Sequence, residues 1–215
     1  HKEYRRQRQM CIRDRAIADT FPVFETRALS DDELVLANRQ MEFLTAFFDD
    51  LFARRRLNPK DDLSTALAMA NEGGNSLSPE ELSTSVIGLF GAGFETTAHM
   101  IGNGLYLLGA HPSERAKLNA DLSLASAATE EITRFESSLQ ATYRTALSDT
   151  VVGDQPIQAG ERILTIVAAA NRDATVFRQP ESFVIDARQE KPLTFGGGIH
   201  YCVGAELARL EGRVF

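Results

Sequence analysis

At 215 residues, 43% hydrophobic and 25% charged, the chain has ordinary globular composition, enough for one large domain or part of a bigger one. A net charge of −7 with no compensating basic stripe disfavours a nucleic-acid partner. The longest apolar stretches, "VIGLFGAGF" and "ILTIVAAA", are too short to cross a bilayer, and two cysteines make no disulfide framework, so a reducing, cytoplasmic compartment is expected.

Residues 1–15, "HKEYRRQRQMCIRDR", are dense in Arg and Gln and lack an apolar core, so they are no secretory signal. "MCIRDR" is also what a common transposon-end sequencing adapter encodes in one frame. The stretch therefore reads as a sequencing or assembly scar, with a disordered basic tail as the alternative. The scar reading makes His1 and Cys11 uninformative and puts the domain at 16–215.

Ser30 opens a capping box with Glu33, and Leu34, Met41, Leu44, Phe47, Phe48 and Leu51 recur at helical spacing, predicting one amphipathic helix over 31–57. "NPKDD" breaks it, and a shorter helix is expected over 61–71, before Gly73 and Gly74. "SLSPEEL" is a strong start signal, with Ser78 as N-cap, Pro79 at the first helical position and Glu81 bonding back. Nothing stops that helix before "AHP" at 110–112, so it spans about thirty residues and ~45 Å. His111 reads as a capping residue at its end, and His99 as a bystander.

A helix over about 124–136 carries "EEITRFE". Short strands follow, "TYRTAL", "TVVG" and "RILTIVA", with turns at Gly153-Asp154 and Ala159-Gly160. Residues 171–194 lack periodicity and read as a long ordered meander, and a final helix is expected to start near Cys202. The fold class is mainly α with a small β portion.

Cys202 follows a glycine-rich loop. A helix N-terminus offers it unpaired N–H groups and the positive dipole end, which favour an anionic sulfur. Gly196, Gly197, Gly198 and Gly204 remove side chains around it, so that a flat ligand can lie against the backbone. One cysteine without a cluster of further ligands argues against zinc or an iron–sulfur centre. A single axial thiolate on a macrocycle is the metal chemistry that remains. From the loop alone, a buried structural cysteine stays open as the alternative.

The whole string "FGGGIHYCVGAELAR" resembles the haem-binding signature of the cytochromes P450, Phe-Gly-x-Gly-x-His-x-Cys-x-Gly-x-x-Leu-Ala-Arg, at every defined position. The resemblance implies haem b with Cys202 as axial iron ligand, Phe195 packed beside the sulfur and His200 reaching a propionate. "GAGFETT" in the long helix is similar to the family's oxygen-binding segment. By that likeness Ala92 and Gly93 leave room above the iron at a local widening of the helix. The same likeness implies that Thr96 would hydrogen-bond the oxygen and that Glu95 would help relay protons to it. A carboxylate within an apolar run independently calls for a partner or a task. Phe94 stands where bacterial relatives often carry His.

Glu131 and Arg134 match the family's Glu-x-x-Arg motif, which implies a buried pair locking its helix to the meander. A solvated surface pair is the ordinary reading of that spacing. The third partner is often an Arg in a Pro-Glu-Arg-Phe segment, but here Ser182 occupies that place, so the network is expected to be incomplete or to use another residue. Arg144 matches an arginine that pairs with a haem propionate.

The resemblance runs from about Thr20 to Phe215 and implies a partial cytochrome P450 fold truncated at both ends. It implies a monomeric monooxygenase taking electrons from a ferredoxin-type or flavodoxin-type donor and oxidising a small organic substrate. No membrane or nucleic-acid partner is implied. A peroxide-using or rearranging haem-thiolate enzyme is an alternative, though those often alter the acid–threonine pair retained here. A non-catalytic fragment is another.

Overall fold

The computed structural model describes residues 12–20, 28–70, 74, 76–187 and 190–215. His1, Cys11 and most of the basic stretch lie outside the described residues. Residues 12–15 begin a helix over 12–18. The chain forms two compact units, one up to Glu95 and one from Thr96, each with its own core.

The first unit is built on helix α1 (Asp31–Leu57) and short helix α2 (Leu63–Ala68), with the opening turns of α3 (Pro79–Ala110). The Ser30–Glu33 capping box forms in both directions. Ser78 and Glu81 reciprocate in the same way at the start of α3, with N–H···O distances of 2.8 and 3.2 Å. Ala16, Ile17, Leu44, Phe48, Phe52, Ala68, Leu82 and Ile87 form the core, and Phe48 meets Phe52 and Phe90 ring to ring. Leu34 and Met41 depart from the expected apolar stripe and stay 42% and 40% exposed, because no described element packs over them. Helix α2 is shorter than the predicted 61–71 because Asp62 caps it, accepting a hydrogen bond from the Thr65 N–H.

The second unit holds the rest of α3, then α4 (Pro112–Ala120), α5 (Ala125–Phe135), strands β1 (Ala141–Thr145), β2 (Thr150–Val152), β3 (Gln155–Ile157) and β4 (Arg162–Ile166), α6 (Val167–Ala170) and α7 (Ala205–Val214). Strands β1 and β4 pair antiparallel, Ala141 opposite Ile166, and β2 and β3 form a separate hairpin with Thr150 opposite Ile157. Strand β3 was not predicted, since Pro156 interrupts its pattern. In a two-stranded ribbon every strand is an edge, which tolerates proline. The predicted strand through Ala168 ends at Ile166 instead, because Val167 turns inward and three alanines, strong helix formers, follow.

Met100, Leu107, Ala128, Ile132, Phe183 and Ile185 form the second core, which draws the meander onto α3 and α5. His111 does occupy the N-cap position of α4 but makes no side-chain cap bond. Its Nδ1 lies 2.9 Å from the Leu107 carbonyl of α3, and its ring packs against Phe135 and Phe183. His99 is exposed. Helix α3 is continuous from Pro79 to Ala110.

Candidate functional site

The site grows from α5. Arg134 is 1% exposed and Glu131 4%, and the guanidinium meets both carboxylate oxygens, at 2.7 Å from Nε and 2.8 Å from Nη2. The remaining N–H groups reach out of the helix. Nη1 donates to the carbonyls of Asn171 and Pro180, and Nη2 donates to that of Ser182. Glu131 in turn accepts the Val184 N–H at 3.0 Å. The position where a third charged partner was expected therefore contributes its backbone carbonyl, and the pair is satisfied without another arginine.

Asn171, fully buried, carries the connection onward. Its amide donates to the hydroxyls of Ser137 and Thr194, and its side-chain carbonyl accepts the Leu193 N–H at 2.7 Å. Leu193–Phe195 is a single 3-10 turn that enters the cysteine loop. Sequence reasoning did not single out Asn171. A buried amide gives no periodic signal, and its role depends on residues 22 to 37 positions away.

The loop itself is short and glycine-dependent. Gly196 and Gly198 take φ of 73° and 64°, the left-handed region that side chains disfavour. The Cys202 N–H donates to the Phe195 carbonyl at 2.9 Å, closing the loop. The cysteine side chain is exposed. A Cβ at Gly204 would stand 3.9 Å from its sulfur, so glycine there keeps that side clear. Helix α7 begins at Ala205, three residues later than predicted. The correction follows from the loop: Cys202 is spent closing it, and its carbonyl accepts the Ala205 N–H at the helix entrance.

His200 sits exposed in a second 3-10 turn, Gly198–His200, and Arg144 is exposed on β1, bonded to Thr142 Oγ1 and the Tyr143 carbonyl. On α3, Ala92, Gly93 and Thr96 are exposed and Glu95 is half-buried. Glu95 closes the first unit and Thr96 opens the second. The neighbouring Thr97 donates to Glu211 of α7 at 3.2 Å. Arg209 of α7 is the last defined position of the cysteine-loop signature, but sequence reasoning assigned it no role. It pairs with Glu130, donates to the Tyr201 hydroxyl at 3.0 Å and lies 4.6 Å over the Phe195 ring. The adjoining Glu130 carboxylate holds its guanidinium above the usual arginine range.

Among the described residues, no group of three or more His, Cys, Asp or Glu could hold a metal ion. What the chain presents is one exposed soft sulfur in a loop stripped of side chains. That donor set suits a metal whose other ligands come from a macrocycle. Ile199 and Val203, in the same loop, are exposed and suit an apolar ring. The residues present therefore fit a haem.

Comparison with known proteins agrees. The family described as Cytochrome P450 matches residues 17–215. The chain belongs to the cytochrome P450 family. It is 41% identical over 198 residues to the vitamin D(3) 25-hydroxylase of Pseudonocardia autotrophica, covering 91% of this chain and 49% of that protein. It is 36% identical over 196 residues to the cytochrome P450 monooxygenase PikC of Streptomyces venezuelae, covering 90% and 47%. The solved bacillaene polyketide synthase cytochrome P450 PksS of Bacillus subtilis 168 superposes with a TM-score of 0.87 at 33% identity, over 100% of this chain and 53% of that one. The chain thus spans about half the length of the curated relatives it matches. Among the described residues no helix is long and apolar enough to cross a membrane.

Proposed function

We propose that this chain carries the haem-ligating part of a haem-thiolate monooxygenase. Such an enzyme inserts one atom of O2 into a small organic substrate and reduces the other to water, using two electrons and two protons. The electrons come from a separate ferredoxin-type or flavodoxin-type protein. The observation that carries this reading is the exposed Cys202 sulfur at the end of a loop anchored to the buried Glu131–Arg134 pair. The names of the relatives, a hydroxylase and a monooxygenase, support it.

Cys202 Sγ would be the axial ligand of haem b, with Phe195 beside it. Gly196, Gly198 and Gly204 would let the ring approach, and His200 and Arg144 would bind its propionates. Bound there, the haem supplies the oxygen binding and redox chemistry. The chain's own polar groups manage protons. The Thr96 hydroxyl holds one as a donor, and the Glu95 carboxyl, half-buried in an apolar helix, replenishes it. Ala92 and Gly93 keep that segment free of bulk, while Phe94 adds an apolar wall.

The test is ferrous–CO difference spectroscopy on protein expressed from its complete reading frame and loaded with haem. A strongly red-shifted Soret band reports thiolate ligation, and Cys202→Ala should abolish it. A wild-type protein lacking the band, or a Cys202→Ala variant retaining it, overturns the assignment.

A further inference from the structure

Glu130 and Glu131 are consecutive on α5 and reach different residues of the cysteine loop. Glu131 acts through Arg134 and Asn171 on Leu193 and Thr194, where the loop begins. Glu130 acts through Arg209 on Phe195 and Tyr201. Phe195 is the residue whose carbonyl accepts the Cys202 N–H, and Tyr201 immediately precedes the cysteine. From these contacts we infer that the Glu130–Arg209 pair is a second clamp, and that Arg209 is a positioning residue for Cys202.

Three features of the pair suit that role. The guanidinium carbon lies 4.6 Å from the centroid of the Phe195 ring, a cation–π contact that ties the ring to α7. One edge of the guanidinium engages Glu130, and Nη1 donates to both the Tyr201 hydroxyl and Glu206. Among the described residues Glu130 Oε2 is buried without a hydrogen-bond partner, and Arg209 pairs with this carboxylate through its other oxygen. A pair so placed links α5, α7 and both flanks of the sulfur, although its members are 79 residues apart. The clamp is a property of the folded chain. Its consequence for metal ligation rests on the haem reading above.

The discriminating variant is Arg209→Lys, which keeps a positive charge near Glu130 but loses the planar face and the forked geometry. Glu130→Gln attacks the same clamp from α5 and serves where the lysine variant fails to fold. Amide hydrogen exchange on the haem-free chain reads the loop directly through the Cys202 N–H. Its exchange should quicken about tenfold in either variant, while amides of α5 and of the β1–β4 pair keep their protection. In haem-loaded protein, the share of ferrous–CO complex showing the thiolate-type band should fall in step. Unchanged exchange at Cys202, or equal quickening throughout the second unit, overturns the clamp. Local quickening with an undiminished thiolate band overturns the positioning role. A wild-type protein with no such band overturns the haem reading and the positioning role with it, and the exchange result separates that failure from failure of the clamp.

Discussion

Replacing Arg134 by alanine is the most severe test of how this chain is held together. The side chain is 1% exposed and its partner Glu131 4%, so neither is relieved by solvent when the other is lost. Removing one member of a buried ion pair costs about 3–5 kcal/mol, because an uncompensated charge stays behind. The substitution also strips a donor from the carbonyls of Asn171, Pro180 and Ser182. The orphaned Asn171 carbonyl, in a buried bond, adds roughly 1–3 kcal/mol, whereas those of Pro180 and Ser182 are part-buried and can turn to water. Against a typical total of about 5–15 kcal/mol, the loss removes most or all of the stability of this part of the chain. Urea titration followed by circular dichroism should show no folded baseline for Arg134→Ala, or a midpoint lowered by the equivalent of at least ~4 kcal/mol. Replacing both members by leucine should do less harm than the single change, since no buried charge then remains. An Arg134→Ala protein within about 1 kcal/mol of wild type would refute the reasoning, for it would mean that the network is solvated or dispensable.

Glycines on helices should respond with opposite signs. A Cβ at Gly212 would stand 2.5 Å from Thr129 Cγ2 and 3.3 Å from Met100 Cε, so Gly212→Ala should destabilise by about 1–3 kcal/mol in chemical unfolding. Gly102 has no described atom within 4 Å of such a Cβ, and Gly102→Ala should stabilise α3 by roughly 0.5–1 kcal/mol. The Asp62 carboxyl is held down from 3.8 to about 2, first by the Arg55 side chain and then by the Thr65 N–H. Because the folded-state value is the lower one, its contribution is complete above about pH 4 and fades as pH falls toward about 2. Asp62→Asn should flatten that part of the acid limb, as read from unfolding midpoints at about pH 5 and about pH 3. On the proposed function, Thr96→Ala should divert reducing equivalents to peroxide or water, measured as product formed per electron consumed, and unchanged coupling would count against the proton role.

Short-range chemistry was legible without coordinates. Ser30 with Glu33, and Ser78 with Glu81, are three residues apart, and a capping box is complete within one turn. The run from Phe195 to Arg209 and the three-residue spacing of Glu131 and Arg134 likewise place their residues on a loop and on one helical face. What those residues touch was decided only by the tertiary fold. Ser182 lacks the side chain of the expected third partner, yet its carbonyl accepts from Arg134 and the nearby Val184 N–H donates to Glu131. Asn171, and the pairing of Arg209 with Glu130, left no pattern, because buried polar contacts across tens of residues have no period. The start of α7 moved past Cys202 for a related reason: helix propensity is local, whereas the hydrogen bond that claims the cysteine N–H comes from a carbonyl seven residues earlier that only the folded loop brings within reach.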